Sequence, residues 1–192
     1  MVREVEIVTD SKTIKVGIEE TRRNILSMLR IKPMTVAELA DALSKDQSTI
    51  YRHIEKLKEH DYVEVSGEQR KHHIPEKIYS RTAKTFLLSP DKKLQGAEIE
   101  LMKKYTHESA EQLSNVLSNV EPVSDIDVDG LDELMWAVWD NTTSEVKKLK
   151  SKGTEVTMKQ LQTFQILALL KHYRNDPQFK KELDLLMDKA GI

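Results

Sequence analysis

The run Thr35-Val36-Ala37-Glu38 constrains this chain more than any other feature. A Thr followed three residues later by Glu is a capping box, in which hydroxyl and carboxylate each satisfy a free backbone amide at a helix start. It predicts a helix over 36–43 that buries Val36, Leu39 and Leu43. Only a few residues later Asp46 is placed to cap a second helix, DQSTIYRHIEKLKEH, over 46–60. Its apolar stripe is Ile50, Ile54 and Leu57, while Gln47, Ser48, Tyr51, Arg52 and Glu55 point roughly the other way. Two short helices joined this tightly predict a helix-turn-helix.

The flanks extend the reading. Asp10 can cap a brief helix at 11–18, and a helix at about 20–30 carries Ile25, Leu26 and Leu29 before Pro33 stops it. After the pair of helices, Tyr62-Val63-Glu64-Val65-Ser66 alternates as a half-buried strand does, and Lys77–Thr82 is a second strand candidate. Between them GEQRKHHIPE is polar and basic, so the wing (62–82) is predicted as a hairpin with a basic tip. Beyond Ser89-Pro90 the periodicity becomes helical: 96–119, about 130–150, a helix capped by Thr154 and running to about 174, and a last one after Asn175-Asp176-Pro177. The expected fold class is mainly α with a small β-hairpin wing. It divides into a winged helix-turn-helix domain at 1–90 and a helical bundle at 91–192.

Within the last part, Phe164 to Leu170 is apolar on nearly every side. A helix wrapped in apolar residues needs cover all round, and a second subunit is the natural supplier, so a homodimer through the C-terminal helices is expected.

Charge sharpens the functional reading. The chain has net charge -2, with 30 Lys+Arg against 32 Asp+Glu. The average hides a basic stretch between 70 and 84, where Arg70, Lys71, Lys77, Arg81 and Lys84 with His72 and His73 face one acid, Glu76. It is the local field that steers a polyanion. With no Cys there are no disulfides and no thiolate metal ligands. The N-terminus lacks the apolar core of a signal peptide and no apolar run reaches membrane-span length, so a cytoplasmic protein with no membrane partner is expected. Walker-type glycine loops, HExxH, dinucleotide fingerprints and nucleophile elbows are all missing, so no catalytic residues and no cofactor are expected.

The run TRRNILSMLRIKPMTVAELADALSKDQSTIYRHIEKLKEHDYVEV resembles the ArsR-type winged-helix transcription regulators, especially the archaeal branch with extra C-terminal helices. The resemblance covers roughly residues 9–88. It implies a dimer that binds double-stranded operator DNA and usually represses transcription. Carried over by position, Gln47, Ser48, Tyr51 and Arg52 are the groove-facing residues, joined along the same helix by Thr49 and Lys56, with Lys45 in the turn. Gln pairs bidentately with adenine and Arg with guanine. Arg70, Lys71, His72 and His73 of the wing are expected on DNA backbone or minor groove, and the lone His72-His73 pair is too few ligands for a metal. His53, beside the apolar stripe, is expected to be a packed core histidine. Metal-sensing relatives carry a Cys motif on the helix equivalent to 36–43. VAELADAL has none, which excludes thiolate sensing.

Two rivals come from other classes. Glu100, His107 and Glu111, spaced seven and four apart on one helix face, are a possible metal- or small-ligand-sensing set across a dimer axis. A winged helix can also serve as a protein-interaction module of the transcription machinery. The basic wing and Arg52 speak against the latter.

Overall fold

Asp10 accepts a hydrogen bond from the Thr13 amide at 2.8 Å and so starts helix α1 (Ser11–Ile18). Glu19 accepts from the Arg22 amide at 3.0 Å and starts α2 (Glu20–Ile31). After Pro33 the chain makes a two-residue strand, β2 (Met34–Thr35), and enters α3 (Val36–Leu43) through the expected capping box, with Glu38 accepting from the Thr35 amide at 2.8 Å. Ser44 then adopts the left-handed conformation, φ 50° and ψ 47°, and Lys45 N donates to Ala40 O at 3.0 Å. This closes α3 and turns the chain into α4 (Gln47–Glu59). Asp46 sits at the cap position of α4, but its carboxylate makes no capping bond. Its carbonyl accepts from Thr49 and Ile50 instead.

The computed structural model describes residues 2–71, 74–89, 97–120 and 127–189, with the side chains of 71, 74, 97–102 and 117–120 outside the description. The chain divides into two compact units, Met1–Leu94 and Gln95–Ile192. It is mostly helical, with a helix-turn-helix and a small antiparallel wing sheet in the first unit and long helices in the second.

In the first unit Ile25, Leu39, Ile50, Ile54 and Leu57 have no exposed surface, so the stripe expected on α4 is the core stripe. The expected face of α3 is corrected: Val36 and Leu43 are only half-buried, and Ala37 and Ala40 go inside beside Leu39. Small side chains let this short helix lie close to its neighbours.

The sheet runs β2-β4-β3, with β3 (Val63–Lys71) and β4 (Ile74–Arg81) antiparallel and Met34 of β2 opposite Tyr79. Its strands are longer than the sequence patterns. Most of GEQRKHHIPE is paired strand, as in Glu68 opposite Lys77 and Arg70 opposite Pro75, and a bulge lies between Val65 and Gly67. Two further strands were not foreseen. β1 (Arg3–Val8) and β5 (Ala83–Leu88) pair in parallel, Arg3 opposite Ala83 and Val8 opposite Leu88. Tyr62, fully buried between these layers, donates from its hydroxyl to Thr13 O at 3.0 Å. Gly17 makes that possible, because a Cβ there would fall 2.6 Å from the Tyr62 Cζ.

The second unit contains α5 (Ala97–Val120), α6 (Val128–Lys150), α7 (Met158–Asn175) and α8 (Pro177–Lys189). α7 begins later than Thr154. Thr157 and Gln160 form a second capping box, with Thr157 N donating to Gln160 Oε1 at 2.9 Å. Asp176 caps α8 by accepting from Gln178 N and Phe179 N at 3.0 and 3.1 Å. The buried set is Ala110, Leu131, Leu134, Thr142, Thr143, Val146, Val156, Leu161, Ala168 and Phe179. Of Phe164 to Leu170 only Ala168 is fully inside, while Ile166, Leu167 and Leu170 are 59%, 55% and 55% exposed. On α5, Leu113 and Val116 are also exposed.

Candidate nucleic-acid interface

α4 is fixed mainly from one side. Ile50, Ile54 and Leu57 plug into the core, while the other side is more open, although Glu55 on it is half-buried within reach of Tyr79 of β4. At 100° per residue, Gln47, Ser48, Tyr51 and Arg52 fall within an arc of roughly 140°, and all four are exposed. Lys45 in the turn and Lys56 further along are exposed as well, whereas Thr49, about 60° beyond the arc, is half-buried. Lys56 lies 4.0 Å from Glu59. The structure therefore brings an amide, a hydroxyl, a phenol and a guanidinium together over the first two turns of one rigid helix. The N-terminal turns are where a recognition helix meets base edges.

The hairpin stands beyond the end of α4. Arg70 is exposed on β3. Lys71 continues that strand opposite Ile74, its side chain outside the description, and His72 and His73 lie outside the described residues. The basic stretch that contains them is less available than its composition. Arg81 turns inward, donating from Nε to Ala83 O at 3.1 Å and from Nη1 to Leu26 O at 3.4 Å, with its guanidinium 5.0 Å from the Phe86 ring centre. Burial, with Arg30 nearby, lowers its pKa. Lys84 pairs with Glu4 at 2.9 Å. Arg81 therefore belongs to the fold, while Lys84 remains at the surface in an exposed pair. Lys77 remains exposed on β4.

His53 lies at the edge of the core rather than within it. Its Nδ1 is 3.6 Å from the Glu19 carboxylate and 3.5 Å from Arg22 Nη1. Burial holds the imidazole below its usual range against the opposing pull of Glu19. In the second unit, His107 has Glu111 at 3.7 Å on Nε2 and Asp129 at 3.6 Å on Nδ1, and the side chain of Glu100 is outside the description. Among the described residues no group of three or more His, Asp or Glu is arranged to hold a metal, and no helix is long and apolar enough to cross a membrane.

A tri-helical core that presents the outer face of its last helix, followed by an antiparallel hairpin, defines a DNA-binding domain of the helix-turn-helix class. Residues 19–65 match the family model of the bacterial regulatory proteins of the arsR family. That segment, from the cap of α2 into β3, is an ArsR-family helix-turn-helix domain, the domain of a DNA-binding transcriptional regulator. No curated protein matches the chain.

Proposed function

We propose that the protein is a homodimeric, sequence-specific transcriptional repressor that reads a palindromic operator with α4 and steadies itself on the DNA with the β3–β4 wing. The observation that carries this reading is the exposed quartet Gln47, Ser48, Tyr51 and Arg52 on a helix whose other side is locked by three fully buried residues. Arg52 is assigned to a guanine edge, Gln47 to adenine, Ser48 to an adaptable partner, and Tyr51 to a thymine methyl or a phosphate. Lys45, Thr49 and Lys56 belong to flanking phosphates. Arg70 and Lys71, with His72 and His73, belong to backbone or minor groove. The resemblance to the archaeal branch of the family supports the repressor role.

The dimer is assigned to the C-terminal helices. α7 exposes Ile166, Leu167 and Leu170, and residues 158–175 carry Lys159, Lys171 and Arg174 with no acid. α5 exposes Leu113 and Val116 on the helix that holds Glu108 and Glu111. Exposed apolar faces on two helices of the same chain favour pairing of two copies. Two recognition helices must then reach major grooves about 34 Å apart or a multiple of it.

Binding titrations across a salt series test both parts. Arg52→Ala is expected to cost about 1–3 kcal/mol on the operator and to relax discrimination at one base pair. Replacing Arg70 and Lys71 together is expected to weaken all sequences alike and lower the salt slope by roughly 0.9 for each phosphate that the pair neutralised. Equal loss on operator and random DNA for Arg52→Ala overturns the assignment of the α4 face. Leu167→Glu with Leu170→Glu is expected to sediment as a monomer, and a variant that stays dimeric moves the interface elsewhere.

A further inference from the structure

Glu55 stands one turn beyond Tyr51 and Arg52 on the same side of α4. At 100° per residue it points about 80° from Gln47 and about 60° from Arg52, near the middle of the outward arc. A carboxylate in that position is a problem for a helix that must enter a polyanion, since like charges repel strongly in a desolvated groove. Lys58 supplies the remedy. Its ammonium lies 3.0 and 2.9 Å from the two Glu55 carboxylate oxygens, and the Glu55 side chain is 31% exposed. Two donors from one ammonium neutralise the charge yet occupy only about half of the roughly four acceptor sites of a carboxylate.

We infer that Glu55, neutralised by Lys58, is a further specificity-determining residue that accepts a hydrogen bond from the N4 amino group of a cytosine in the major groove. This rests on the DNA-binding reading of α4. The chemistry selects the base. An acceptor-only side chain needs a donor, and the major groove offers two, the amino groups of cytosine and adenine. In adenine the amino group sits beside the N7 acceptor, which repels a carboxylate, whereas cytosine presents its donor without that neighbour. The competing account is an ordinary surface pair at i,i+3, which contributes a few tenths of a kcal/mol to the helix and carries no base preference.

Selection of binding sites from a random duplex pool, run with the full chain, separates the two. The wild type is expected to enrich a G·C pair at one position of each half-site. In Glu55→Gln the discrimination at that position falls roughly 5–150-fold and shifts toward A·T, because Gln pairs bidentately with adenine, while the other positions keep their preferences. Lys58→Met, which strips the neutralising charge, is expected to weaken every sequence and leave the profile in place. An enriched operator whose profile is unchanged in Glu55→Gln overturns the assignment alone. A uniform gain of affinity in that variant does so too, since it marks the carboxylate as repulsion only. A wild type that enriches no sequence overturns the reading of α4 and this inference with it.

Discussion

The two units bury their apolar residues to different degrees. In Met1–Leu94 the large side chains of α2, α3 and α4 that define the core, Ile25, Leu39, Ile50, Ile54 and Leu57, are completely enclosed. In Gln95–Ile192 Val116, Trp136, Ile166, Leu167, Leu170 and Leu185 all remain exposed. The first unit has its own exposed apolar side chains, Ile31 at 78% and Val65 at 44%, but they are scattered around an enclosed core. The second has more apolar surface than its own helices cover. The two units thus differ in how far their large apolar side chains are enclosed.

The largest test of this contrast is a pair of truncations. Ile54→Ala is expected to cost about 2–5 kcal/mol in urea unfolding, because it opens a cavity in an enclosed core. Leu167→Ala is expected to stay within about 0.5 kcal/mol when the chain is dilute and to cost more as concentration rises, since association stabilises only the folded state. A concentration-independent loss for Leu167→Ala would place that residue in an intrachain core and erase the contrast.

The two capping boxes allow a finer comparison, because the same chemistry occurs in both units. Thr35 is buried and Thr157 exposed. Removal of an N-cap hydroxyl costs about 0.5–2 kcal/mol. Thr35→Ala is expected at the top of that range and Thr157→Ala at the bottom, where water replaces the missing partner. Equal losses would show that burial of the cap is irrelevant.

The smallest effect concerns pH and belongs to the first unit. Burial depresses the pKa of His53, with Glu19 pulling it up and Arg22 and Lys45 adding to the depression. The folded chain therefore binds this proton less readily than the unfolded chain. The stability it contributes is complete above about pH 6.5 and is lost as pH falls through the folded-state value. Urea midpoints measured between pH 7.5 and 5.5 should drop less in His53→Gln than in the wild type.

Local signals were the legible ones. Thr35-Val36-Ala37-Glu38 located α3 because both halves of its cap lie within four residues, and Ile50, Ile54 and Leu57 marked the buried side of α4 because helical spacing alone decides it. The same logic exposed the outward quartet on α4. Pairings between distant segments were not legible. β1 and β5 are stabilised by each other across some 80 residues of chain, and the short alternation Glu4-Val5-Glu6-Ile7 in β1 does not name its partner AKTFLL. The hairpin arms were read too short because polar Gly67–Lys71 forms strand through its ladder to β4, not through an alternating apolar face. Composition misled at Arg81, whose charge is turned into the fold, and at Lys84, whose charge is paired with Glu4 at the surface. Thr154 and Thr157 are both plausible caps by type, and it is Gln160, three residues after the second, that decides between them.

The parallel pairing of β1 with β5 also sets an order of events during synthesis. Arg3 finds its place opposite Ala83, so β1 is synthesised well before the strand that pairs with it. At about 5–20 residues per second, some 80 residues of elongation leave it waiting for roughly 4–16 s. Over that interval it is an open strand edge in a crowded cell. Its composition fits the wait, because Arg3, Glu4 and Glu6 interrupt Val5, Ile7 and Val8 and charged residues of this kind discourage a nascent strand from joining its neighbours on a polysome.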